Sequence, residues 1–294
     1  MSTDVLCEVL FQQGEEAQAA LSLEEAFAMM RTFADHYSRF RINNALFEFN
    51  RSENAQLSQE FFDILTRAQN FFTFTEGLFD PSILPVLEQE GYAGASPALA
   101  TPHQKRSFSE LHLDQETRTA SKPRDLLIDL GGIGKGYIVD RVADMLSLHF
   151  ENFLVDAGGD VRVKGANKKE DYPYWAVAVE HPEHPDEPVA LLLLQDMAVA
   201  TSGRNRRHWQ KDGQEKHHLI DPRTEKSAAR DFLSVTVIAP DTTTADVLAK
   251  ALFIAGKDQA PLLAEQWQTP AIFIDHSGRV TINHLAKSYV WKAS

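Results

Sequence analysis

The stretch best equipped for chemistry is Asp129 to Asp140, DLGGIGKGYIVD, in which Gly131, Gly132, Gly134 and Gly136 surround a single lysine, Lys135. The apolar run Leu126 to Ile128 leads into it and a helix-like pattern follows. Glycines let the backbone make turns and close approaches that a Cβ would block, and a helix N-terminus presents unpaired N–H groups to an anion. With a lysine ammonium added, these parts suit a phosphorylated ligand. The spacing excludes two familiar versions of such a loop. Gly136 follows Lys135 where a Walker A loop carries a Ser or Thr hydroxyl, and Tyr137 stands where a GxGxxG dinucleotide fingerprint carries its third glycine.

Further polar turns sit at strand ends. The apolar segment Phe153 to Val155 runs into Asp156-Ala157-Gly158-Gly159-Asp160 and on to Val161 to Val163. Another strand, beginning at Val199, ends in Thr201-Ser202-Gly203, followed by Arg204, Arg206, Arg207, His208 and Lys211, a basic cluster that invites an anionic partner. His217 and His218 then precede an Asp221-Pro222 turn. In a helix expected from about Thr243 to Ala255, Asp246 and Lys250 have the spacing of an i, i+4 ion pair.

These groups need a scaffold, and the chain has the material for one. Its 294 residues, 43% hydrophobic and 24% charged, suffice for a full core, and no apolar stretch nears the roughly 20 residues of a membrane helix. A net charge of −13 argues against a nucleic-acid surface. The N-terminus shows neither a basic segment nor an apolar core of a signal peptide, so a cytoplasmic location is expected, or a periplasmic one if a leader has been removed. The single cysteine, Cys7, excludes an internal disulfide and a cysteine zinc cluster, and reads as a small buried or half-buried residue.

Ser22 with Glu25 has the form of a capping box, predicting a helix to about Ser38, and Ser58 opens a second amphipathic helix whose aromatics belong to a core. Asn43, Asn44 and Asn50 to Glu53 read as polar turn, and residues 91–105 as a surface connection. Trp175 to Val179 alternates as a half-buried strand, HPEHPDEP reads as a solvated hairpin loop, and Val189 to Leu194 as a central strand. Gly256 stops the helix that begins near Thr243, and strands are expected at Ala271 to Ile274 and Val280 to Ile282.

The ordered series DLGGIGKGYIVD, LVDAGGD, ATSGRNRRHW with HHLIDPRT, and SVTVIAPDTTTADVLAKALF resembles the ApbE family of flavin transferases over about residues 20–285. FRINNALFEFN and GLFDPS match its early blocks more loosely. The resemblance implies one α+β domain across residues 1–294, built as two interwoven lobes with mixed or antiparallel sheets and FAD between them. It implies Mg²⁺-dependent cleavage of the FAD pyrophosphate, transfer of FMN to a Thr or Ser hydroxyl of a partner protein, and release of AMP. On that resemblance Gly131, Gly132, Lys135 and Gly136 would hold the phosphates, and Tyr137 and Asp140 would support the turn or touch the nucleotide. Gly158, Gly159, Asp160, Thr201, Ser202 and Gly203 would line the cleft, and His218 would deprotonate the accepting hydroxyl.

The expected metal ligands are Asp246 and the Gly134 carbonyl, and here the match breaks. Where the family carries Thr four residues after the aspartate, this chain has Lys250, whose ammonium cannot ligate Mg²⁺. Two readings follow: a transferase with a modified metal site, or an FAD-binding flavin carrier whose metal-dependent catalysis is lost. The sequence carries no mark of an oligomeric state.

Overall fold

The computed structural model describes residues 3–92, 94, 105–167, 173–204, 208–211 and 213–291. Most of the expected connection at 91–105, and Arg206 and Arg207 of the basic cluster, lie outside the described residues. Two compact units share the chain, the first from residues 1–32, 135–206 and 229–294, the second from 33–134 and 207–228. Helices and antiparallel sheets in both bear out the α+β class. Among the described residues no helix is long and apolar enough to cross a membrane.

The first unit is built on a seven-stranded sheet in the order Val5–Leu10, Asn152–Ala157, Val161–Lys164, Ala198–Gly203, Phe232–Ala239, Ala271–Asp275, Val280–Ile282, antiparallel at each pairing. Phe232–Ala239 is buried at every position because both faces of the sheet are covered. The Thr242–Ala255 helix packs on it and on Ala198–Gly203. Strand alternation sends Val199 and Ile238 to the other face, where they join Trp175, Val179, Leu192 and Leu194 in one apolar cluster.

Those four residues belong to a ribbon of Trp175–His181 paired with His184–Leu194. The expectation of a central strand at Val189 to Leu194 is therefore corrected. It is an arm of a two-stranded ribbon, with Ala190, Leu192 and Leu194 turned to the sheet. The chain's last described residues edge its other side, Leu193 N donating to Tyr289 O and Trp291 N to Leu191 O. The charged insert is not all loop either, since the strands run through it to a turn at Pro182 and Glu183.

In the second unit the Gln59–Phe74 helix starts where expected, Ser58 Oγ accepting from Phe61 N at 3.1 Å. Phe61 and Phe62 of this helix are core, whereas Phe74 at its end is 50% exposed. The Tyr37 ring lies 4.9 Å from Phe33 and 5.1 Å from Phe61, and Phe61 lies 5.2 Å from Phe49. A helix over Ala45–Arg51, capped by Asn44, joins the two stretches read as turn and takes in Asn50 and Arg51 of the second. A three-stranded sheet, Asn54–Gln56 beside Thr119–Ser121 beside His112–Asp114, and two short hairpins complete the unit. The helix expected from Ser22 begins at Glu16 instead. Ser22 is buried inside it, accepting from Gln18 Nε2, while the Glu15 and Glu16 carboxylates close the upstream turn on Gln12 N and Gly14 N.

Candidate functional site

The DLGGIGKGYIVD stretch folds as a turn and a helix, Gly134–Leu146, with Gly134 N donating to Leu130 O at 2.7 Å. Gly131 is exposed and Gly132 half-buried, and Gly131 N donates to Asp129 Oδ2, leaving this backbone within reach of a ligand. The Phe33 ring lies against Gly134, where a Cβ would come within 3.3 Å of it. Gly136 has a different purpose. A Cβ there would lie 2.6 Å from Thr242 O and 2.7 Å from Thr243 Cα, so its absence lets this helix meet the first turn of Thr242–Ala255.

Asp140, one turn on, ties the two helices together. It accepts from Thr242 N at 2.7 Å, Thr243 N at 2.8 Å and Thr243 Oγ1, meeting orphan amides of the second helix. Burial pushes its carboxyl above the usual carboxylate range against the pull of those bonds. Asp140 and Gly136 are thus engaged in packing, and Tyr137 is buried beside them in sequence.

Two carboxylate–ammonium pairs form the electrostatic centre of the first unit. Lys135 Nζ pairs with Asp160 Oδ2, and Lys250 Nζ with Asp246 Oδ1. The carboxylates are buried, with side-chain exposures of 0% and 3%, whereas Lys135 and Lys250 keep 20% and 12%. Asp160 ends the Gly158-Gly159 turn, where φ of 65° and 86° requires residues without a Cβ and Gly159 N donates to Asp156 Oδ1 at 2.6 Å. Burial first, and then the Asp246 charge, push the Asp160 carboxyl upward, with Lys135 and Lys250 opposing them. The pairs therefore form one cluster with two negative and two positive charges. Asp160 Oδ1 and Asp246 Oδ2 are buried with no hydrogen-bond partner among the described residues. An unmet buried acceptor costs about 1–3 kcal/mol, and the two mark the cluster as built to receive donors.

The residues present do not fit the Mg²⁺ site that the resemblance implies. One Asp246 oxygen is held by Lys250, and an ammonium has donors only. Two unit charges 4 Å apart at an effective dielectric constant of about 20 repel by about 4 kcal/mol, and a divalent ion beside Lys250 by roughly twice that. Among the described residues no group of three or more His, Cys, Asp or Glu side chains could hold a metal ion.

A cavity of about 480 Å³ opens in the first unit beneath the ribbon. Gly159, Thr201 and Gly203 line it, with Asp156, Ser234, Glu180 and His181. Ser202 does not, because alternation along Ala198–Gly203 turns its side chain to the opposite face of the sheet. Thr201 is held by Thr236 across the strands, Oγ1 to Oγ1 at 2.9 Å. Glu180 and His181 went unseen in the sequence. The signal available was the acidic and imidazole pair closing an alternating strand, which the proline-rich insert disguised as solvated loop.

The described part of the basic cluster is dispersed. Arg204 faces Glu183 at 3.8 Å, whereas His208 and Lys211 lie on a hairpin of the second unit, where Lys211 Nζ donates to Gln89 O. The adjacent histidines also part. His217 is 3% exposed with Nε2 at 3.2 Å from Ala228 O, while His218 is half-buried, 6.5 Å from the Tyr92 ring that stacks on Trp209 at 5.1 Å.

Comparison with known proteins gives the chain's relatives. The ApbE family profile matches residues 1–273. FAD:protein FMN transferases of Vibrio cholerae and Haemophilus influenzae are each 31% identical to the chain, over 275 residues (90% of this chain, 82% of the relative) and 261 residues (83% and 75%). The solved ApbE protein of Thermotoga maritima superposes with a TM-score of 0.85 at 27% identity, covering 99% of this chain and 100% of its own. The flavin transferase ApbE of Vibrio cholerae gives 0.83 at 27%, covering 98% and 96%.

Proposed function

The chain belongs to the ApbE family, and from that membership we propose that it is an FAD:protein FMN transferase. In the proposed reaction a Thr or Ser hydroxyl oxygen of an acceptor protein attacks the flavin-side phosphorus of FAD. The bond from that phosphorus to the bridging oxygen breaks, AMP leaves, and the hydroxyl proton passes to His218. His218 suits a base in being accessible, which the neighbouring His217 is not.

The observation that carries the reading is the Lys135–Asp160 pair set beside Asp246–Lys250. Buried charge on this scale is expensive unless it serves a ligand, and two ammonium groups that keep part of their surface exposed can receive the oxygens of a polyanion. Gly131, Gly132 and Lys135 would hold the pyrophosphate. Gly158, Gly159, Asp160, Thr201, Ser202 and Gly203 would shape the place of the nucleotide, Gly159, Thr201 and Gly203 from the cavity side of the sheet and Ser202 from its opposite face. Gly136, Tyr137 and Asp140 would keep the helices registered beneath it.

The test is AMP release on incubation with FAD, read by chromatography, together with a flavin-labelled acceptor peptide bearing Thr or Ser. AMP together with a labelled acceptor supports the reading, and AMP with free FMN and no label would show hydrolysis in its place. The second reading, a flavin carrier, is favoured by Lys250 in place of a hydroxyl, and tight FAD binding without AMP would select it. A protein that does not bind FAD in any buffer excludes both.

A further inference from the structure

We propose that Lys250 stands in for the divalent metal: its ammonium, fixed on Asp246 beside the Lys135–Asp160 pair, meets the pyrophosphate, and FAD binds without Mg²⁺. This rests on the functional reading above. The geometry supplies the parts. Lys250 Nζ is anchored twice on one residue, to the side chain and to the main-chain oxygen of Asp246, the latter at 3.3 Å. An ammonium has three donors, so one remains for a ligand oxygen. The lysine rises from a helix buried at every position except Thr244 and Lys250 itself, which fixes its root. Its side chain keeps 12% exposure, while Asp246, at 3%, is sealed.

The charge pattern also separates this arrangement from a metal site. A metal centre needs negative charge in excess of nearby ammonium groups, and here each carboxylate charge is already balanced by one ammonium. A divalent ion would have to expel Lys250 from Asp246 and leave the ammonium in a pocket with 12% exposure. A pyrophosphate arriving without a metal is met instead by the remaining donor of the Lys250 ammonium.

The experiment measures FAD affinity by quenching of flavin fluorescence in EDTA and again in excess MgCl₂. For the unaltered protein the two dissociation constants should agree within about twofold, since nothing that binds the metal contributes to the complex. A tenfold or greater gain from Mg²⁺ would overturn the proposal while leaving the functional reading standing. Lys250→Thr replaces the ammonium by the hydroxyl. In EDTA its FAD affinity should fall roughly 10- to 100-fold, the worth of one hydrogen bond to a charged group, and Mg²⁺ should restore it. Mn²⁺ as a paramagnetic probe gives a readout independent of turnover: bound Mn²⁺ in the presence of ADP for Lys250→Thr, and none for the unaltered protein. Stoichiometric Mn²⁺ on the unaltered protein would overturn the proposal even if the variant fails to fold. Absence of FAD binding under both conditions removes the functional reading and this inference with it.

Discussion

Asp246 and Lys250 are the only charged side chains of the Thr242–Ala255 helix, and their spacing lets each cancel the other inside a core. Removing one partner leaves an uncompensated buried charge, which costs about 3–5 kcal/mol. Lys250→Met should therefore lower the urea midpoint by that equivalent, while the double change Asp246→Leu with Lys250→Met should recover most of it. Equal losses in single and double variants would show that packing, not charge, decides. Cys7 offers a second residue-scale expectation. Burial, followed by the Asp156 charge, pushes its thiol up to about 11. At pH 8 its labelling by iodoacetamide should be slower than that of a free cysteine by about two orders of magnitude, and should rise with pH toward 11. Rapid labelling at pH 8 would contradict the burial. At this scale the sequence already held much: the i, i+4 pair is a local spacing, and Ser58 is a cap wherever a helix follows it. It named His218 through the order of motifs alone; that His217 is buried depends on Ala228, eleven residues away.

The elements that matter most are the helices Gly134–Leu146 and Thr242–Ala255, and their contact hangs on one missing methyl. Gly136→Ala would gain up to about 1 kcal/mol of helix propensity. It would also drive a Cβ to 2.6 Å from a main-chain oxygen that cannot swing away. A net loss of about 1–3 kcal/mol is expected from overpacking, measured by chemical denaturation, and a gain in stability would refute the close approach. Asp140→Ala removes the acceptor for two amides and a hydroxyl at the start of the second helix, and should cost a further 1–3 kcal/mol or so. The glycine motif thus divides its labour between an exposed turn at Gly131 and a packing seam at Gly136, a division its spacing does not announce. The capping box at Ser22 misled for the same kind of reason: carboxylates upstream closed the chain first, and the local preference lost.

For the whole molecule, bound FAD should raise stability by linkage, about 2.7 kcal/mol at a ligand concentration one hundred times the dissociation constant. The rise in melting temperature should be the same in EDTA and in MgCl₂, and a shift seen only with Mg²⁺ would reject Lys250 as the resident cation. The units alternate along the chain, so the residues of each are gathered from distant segments. Within the stretch 135–206, Lys135 and Asp160, twenty-five positions apart, pair only once Asn152–Ala157 and Val161–Lys164 are laid side by side in the sheet.

The sequence by itself determined what is local or ordered: turn glycines, helix stripes and caps, the Asp246–Lys250 spacing, and the succession of motifs that marks the family. Its chemistry is read within one helical turn or one strand end, and such preferences act over a few residues. Tertiary structure alone decided which side of a strand faces the cavity, sending Thr201 and Gly203 inward and Ser202 away. It also moved Val189 to Leu194 from a sheet centre to a ribbon, and joined two ion pairs into one neutral cluster. Each of those outcomes depends on sheet register and on burial shared between distant segments, and neither quantity exists until the chain has folded.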